Sequence, residues 1–117
     1  MSEALEELKQ QYFDLARPSD DPARDAYMEC FDFLACGWLG SEKIKGVEDA
    51  TVTALSYLYQ ALDRTEGPYL EAIAEHNQEA REYWQQNRQR IYMKIGIFTD
   101  FQRRLAQAKS QTQENDL

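Results

Sequence analysis

The sequence predicts an all-α protein, a small bundle of three shorter helices plus one long C-terminal helix. Three observations carry this. Apolar residues recur at helical rather than alternating spacing along most of the 117 residues. The only prolines stand at 18, 22 and 68, each beside turn-type residues such as Ser19, Asp21 and Gly67. Finally, Pro68–Lys109 holds no internal proline, one glycine (Gly96) and otherwise mostly good helix formers. A straight helix over that stretch would be about 63 Å long at 1.5 Å per residue. A compact chain of this size has a radius of gyration of only about 13 Å. The late helix therefore either bends near Gly96 or projects toward another protein.

In the first helix, Ser2 is the expected cap, and Glu3 and Glu6 suit the positive end of the dipole. Leu5, Leu8, Tyr12 and Leu15 form its apolar stripe, widened by Phe13 and Ala16. Arg17 precedes Pro18, which ends it. Asp21-Pro22 is the next start signal, with Asp as cap and proline in the first turn. The second helix is expected to run to Leu39, with Tyr27, Phe31, Leu34 and Trp38 as its main stripe, and to stop at Gly40. Being the most apolar, it is expected at the centre of the core. Ser41–Gly46 reads as a connector that could form one helical turn. The third helix is expected over Val47–Asp63, with Val47, Thr51, Ala54, Leu58 and Leu62 facing one way and Tyr57 and Tyr59 broadening the contact. Thr65-Glu66-Gly67-Pro68 reads as the turn into the long last helix.

In that helix Ile91, Ile95, Phe98, Phe101 and Leu105 form the stripe, and Met93 and Ile97 lie off it as a second, exposed surface. Arg90–Thr99 also has strand character, but no second strand exists to pair with it. The chain reads as one domain over residues 1–109, followed by a frayed polar tail at 110–117.

Composition narrows the function classes. No stretch approaches 18 consecutive apolar residues, so no membrane span is expected. The start, Ser2-Glu3-Ala4-Leu5-Glu6-Glu7, is acidic and lacks a basic-then-apolar leader, which predicts a cytoplasmic protein. Cys30 and Cys36 point about 240° apart on one helix and read as reduced thiols. The net charge of −8 is uneven: residues 1–63 carry 13 acids and five bases, while residues 64–117 carry eight of each. The basic late helix interleaves Tyr83, Trp84, Tyr92 and Phe98, a pattern that suits single-stranded nucleic acid. A sequence pI near 4.6 opposes direct nucleic-acid binding. The converse, an acidic DNA mimic, would need carboxylates denser than these.

Catalytic constellations are sparse. His76 is the only histidine, so neither a di-iron bundle nor a histidine-rich zinc site can be built, and it reads as an exposed helical residue. Gly37 and Gly40 are not followed by the Lys-Ser or Lys-Thr of a phosphate loop. The best enzymatic candidate is a carboxylate set, Glu3-x-x-Glu6 and Glu29-x-x-Asp32, each pair one helical turn apart and able to gather Mg²⁺. This arrangement resembles the all-helical nucleotide pyrophosphatases of the MazG type. It departs from that family after Glu6-Glu7, where Leu8, Lys9 and Gln10 replace the third acid of the family's first motif.

The expectation that follows is a non-catalytic, protein-binding regulator without cofactor or metal, with self-association as a homodimer through the same helix. Its expected anchors are the large aromatic, arginine and apolar residues Tyr83, Trp84, Arg88, Ile91, Tyr92, Ile95 and Phe98. In length, acidity and a long last helical arm, the chain resembles small bacterial antiactivators of LuxR-type quorum-sensing regulators. That resemblance implies stoichiometric capture of a transcription regulator's ligand-binding domain, blocking its dimerisation and hence DNA binding.

Overall fold

A computed structural model describes residues 3–36 and 41–115. It contains four helices, α1 (Glu3–Ala16), α2 (Ala23–Ala35), α3 (Ser41–Ala74) and α4 (Gln78–Asn115), and no strand among the described residues. The expected helical bundle with a long C-terminal helix is present. The molecule is elongated, with extents of 61 × 26 × 21 Å. Its radius of gyration of 17.4 Å compares with about 13 Å for a compact chain of this length.

The apolar stripe of α1 follows its sequence signal, but α2 starts without the expected Asp21 cap: Pro22 stands at the N-cap position, with no side-chain cap bond, and the helix begins at Ala23. Leu5, Leu8, Tyr12 and Ala16 are the buried face of α1. In α2 the buried residues are Ala26, Cys30 and Leu34; of the expected stripe, Leu34 is buried while Tyr27 and Phe31 are half-buried. The small side chains let α2 approach its neighbours closely, and the large rings flank that contact. Tyr27 lies 6.1 Å from Tyr12, Phe31 lies 5.5 Å from Phe13, and Phe33 lies 6.1 Å from Phe98. α2 touches α1, α3 and α4, but α4 also touches all three of the others, so the expected central place is not α2's alone. It ends where Cys36 leaves the helical region at ψ 155°. Ser2, Trp38, Leu39 and Gly40 lie outside the described residues.

The two long helices depart from the sequence reading. The expected connector at Ser41–Gly46 is the first turn and a half of α3, and Gly67-Pro68 does not end that helix. A proline inside a helix loses the bond to the carbonyl four residues earlier, a cost of about 3 kcal/mol. Here that carbonyl belongs to Arg64, an exposed residue. Packing continues on both sides of Pro68 through buried Thr65 and Ala72. The reversal comes instead at Glu75–Asn77. The His76 N–H bonds to the Ile73 carbonyl (3.1 Å) and the Asn77 N–H to the Ala72 carbonyl (2.9 Å), the paired bonds of a Schellman C-terminus. His76 takes the left-handed conformation, φ 56°, that this motif requires. The Asn77 side-chain oxygen accepts from the Ala80 N–H at 3.1 Å and so caps α4. His76 is therefore a turn residue, not a helical one.

Beyond that turn, α4 is one continuous helix through Gly96. Ile95, Phe98, Phe101, Leu105 and Ala108 are its buried face. Phe101 packs edge-on to Tyr12 at 5.0 Å, and α1 and α2 both seat against this C-terminal half of α4. The rest of the α3–α4 hairpin, toward the turn at Glu75–Asn77, extends past α1 and α2 as a two-helix arm.

Candidate protein-binding surface

The arm is held by packing between α3 and α4 alone. Leu58 and Leu62 of α3 and Ile91 of α4 are half-buried along its seam. Near its middle, Arg88 donates to the Thr65 hydroxyl oxygen at 2.9 Å, while that hydroxyl donates to the Leu62 carbonyl at 2.6 Å. The Arg88 guanidinium also lies over the rings of Tyr69 (5.4 Å) and Tyr92 (5.9 Å). Among the described residues no carboxylate pairs with Arg88. A cation packed between aromatic faces gains from the ring quadrupoles while keeping donors for a further acceptor.

The arm has two sides that are readable from order along the chain. Each residue turns about 100° from the last. In an antiparallel pair, residues that follow inward-facing ones therefore turn to one side on both helices, and those that precede them turn to the other. Tyr57 precedes Leu58 and Tyr83 precedes half-buried Trp84; both tyrosines are well exposed. Val52, Tyr59, Leu70 and Tyr92 follow Thr51, Leu58, Tyr69 and Ile91, and all four are exposed on the opposite side. Tyr83 and Tyr92, nine residues apart, point about 180° from each other. At the other end of the hairpin, the preceding side is occupied by α1: Arg104, which precedes Leu105, lies over the Tyr12 ring at 5.7 Å.

The expected anchors divide accordingly. Tyr83 and Tyr92 are exposed on opposite sides of α4. Trp84 stacks edge-on to Tyr83 at 5.1 Å, and Arg88 is the clasp described above. Ile91 packs against the core, and Ile95 and Phe98 lie within it, at 9% and 1% exposure. Those last two share a helical face with Phe101 and Leu105, so burying any of the four buries all. Met93 is exposed, as expected, whereas Ile97 packs against the core. Spacing alone missed Tyr57, Tyr59 and Leu70. The tyrosines had been assigned to the intramolecular contact, but each sits beside Leu58 rather than in line with it.

The remaining chemistry-bearing groups are dispersed. Glu29 and Asp32 are exposed on α2, and Glu6 pairs with Lys9 at 3.1 Å through one oxygen while its Oε1 is buried without a hydrogen-bond partner. Among the described residues no three His, Cys, Asp or Glu side chains gather as a metal site would require. Asp100 bonds Arg103 and Arg104, and the Arg103 hydrogen bond chiefly holds its carboxyl below the usual range. Burial pushes the Tyr12 phenol and the Cys30 thiol well up, so both stay protonated in the core at neutral pH. No helix of the described residues is long and apolar enough to cross a membrane.

No protein-family model, curated protein or solved structure matches this chain.

Proposed function

We propose that this protein is a non-catalytic regulator that captures a partner protein on the preceding side of its arm, through Tyr83, Trp84 and Tyr57. The observation that carries this reading is where the apolar surface lies. A Tyr83–Trp84 pair and Tyr57, 60% and 68% exposed for the two tyrosines, stand on a helical hairpin that extends beyond the body. Amphipathic helices bearing large aromatic anchors dock into apolar grooves, and such anchors carry most of the binding energy. The antiactivator resemblance supplies the finer reading. The partner is a transcription regulator, and the arm covers the surface through which that regulator dimerises, so that it leaves DNA.

The test is affinity capture from the native host with a 0.5 M salt wash (an ionic strength that shortens the screening length to about 4 Å), followed by mass spectrometry. A stoichiometric regulator retained by wild type, and lost with Tyr83→Ala and Trp84→Ala at unchanged helix content, is the expected result. No retained partner, or retention undiminished in both variants, overturns the reading.

A further inference from the structure

On the side of the hairpin opposite Tyr83, Val52, Tyr59, Leu70 and Tyr92 are exposed among the described residues, and α1 seats against the other side. We infer that a second copy of this chain covers the side that carries these four residues. The two hairpins pack face to face about a twofold axis parallel to the helices, so that α3 of each lies along α4 of the other. This goes beyond the partner reading, which uses the opposite side of the arm.

Three observations select this occupant. The first is area. The chain exposes 7783 Å², whereas a compact monomer of 13.7 kDa exposes about 6,600 Å². The surplus of roughly 1,200 Å² exceeds the ~800 Å² that each partner of a standard interface buries. Val52, Tyr59, Leu70 and Tyr92 supply an apolar centre for such a contact. The second is charge. α3 holds six acids against three bases, and α4 holds seven bases against four acids. A twofold parallel to the helices sets each acidic helix on a basic one. The perpendicular twofold would set acid on acid and base on base.

The third is register. A twofold along the helices introduces no axial slip, so residues meet at the levels they occupy within one chain. Arg88 is level with Thr65, to which it bonds at 2.9 Å. Glu66 follows Thr65, is exposed, and lies on that same side. Glu66 of each copy therefore falls opposite the partner's Arg88, which pairs with no carboxylate among the described residues. The twofold makes the pair twice.

Sedimentation equilibrium between about 1 and 100 µM, concentrations that bracket a micromolar Kd, tests this directly. Wild type is expected to double its mass with rising concentration. Glu66→Arg and Arg88→Glu should each raise the dissociation constant at least ~30-fold through paired like charges. An equimolar mixture of the two should recover a dimer, since both cross-pairs are then opposite in sign. Because Arg88 also packs within its own chain, Leu70→Glu is the independent variant, expected to be monomeric with helix content intact. A monomer at 100 µM, or a dimer unmoved by Glu66→Arg and Leu70→Glu, overturns the inference. Loss of partner capture with Tyr83→Ala at unchanged mass would leave it standing, so the two readings fail separately.

Discussion

Replacing Gly96 with alanine should stabilise the protein. The sequence allows two roles for this glycine, a bend in the last helix or a place where another backbone comes close, and either would make alanine harmful. In the structure α4 passes through it unbroken, the residue is exposed, and a Cβ added there meets no atom within 4 Å. What remains is the helix-propensity difference, about 0.8–1.0 kcal/mol in favour of alanine. For a domain of this size that corresponds to a rise in Tm of about 3–6 °C. Urea unfolding followed by far-ultraviolet circular dichroism measures the free energy, and a thermal melt gives the second reading. The denaturant slope should not change, since the surface exposed on unfolding stays the same. A loss of stability, or no change, would refute the reasoning and return the bend or a close backbone approach to Gly96. Gly67 makes a useful contrast. It too meets open space, but it precedes Pro68, where a Cβ crowds the proline ring in the helical region. Its alanine variant should gain less than the Gly96 variant or lose outright.

The α3–α4 turn and the two thiols offer further tests. His76→Gly should raise stability by about 1 kcal/mol by relieving the left-handed backbone. Asn77→Ala should cost about 1 kcal/mol by removing the α4 cap; the reverse order in chemical denaturation would place the turn elsewhere. Cys36 is exposed and Cys30 is buried with its thiol held protonated, so a thiol reagent at neutral pH should modify one cysteine at once and the other only on unfolding. Equal native rates for the two would contradict the packing of α2.

Much of the architecture is legible in local pattern. The stripe Leu5-Leu8-Tyr12 names the buried face of α1, and Ile95-Phe98-Phe101-Leu105 that of α4, because burial on one side of a helix leaves a period of about 3.6 in the sequence. The acidic front and basic rear were also visible in order, and they separate as α1, α2 and α3 against α4. The candidate surface was legible in part. Tyr83, Trp84 and Tyr92 stand out as aromatics in a polar stretch, but spacing could not divide them between opposite sides of the arm, nor free Tyr57 and Tyr59 from the core.

Sequence alone settled the helical class, the presence of a long C-terminal helix and the residues of its core stripe, since propensity and periodicity are properties of neighbouring residues. Tertiary structure settled where the long helices turn and which rings reach solvent. Gly67-Pro68 carries the stronger local stop signal, yet packing around Thr65 and Ala72 carries the helix through it. The weaker His76-Asn77 signal becomes the reversal because there the Schellman and cap bonds satisfy both helix ends at once. In α2, likewise, the aromatic stripe yields the centre to Ala26 and Cys30, because only small side chains let the helix approach three neighbours together.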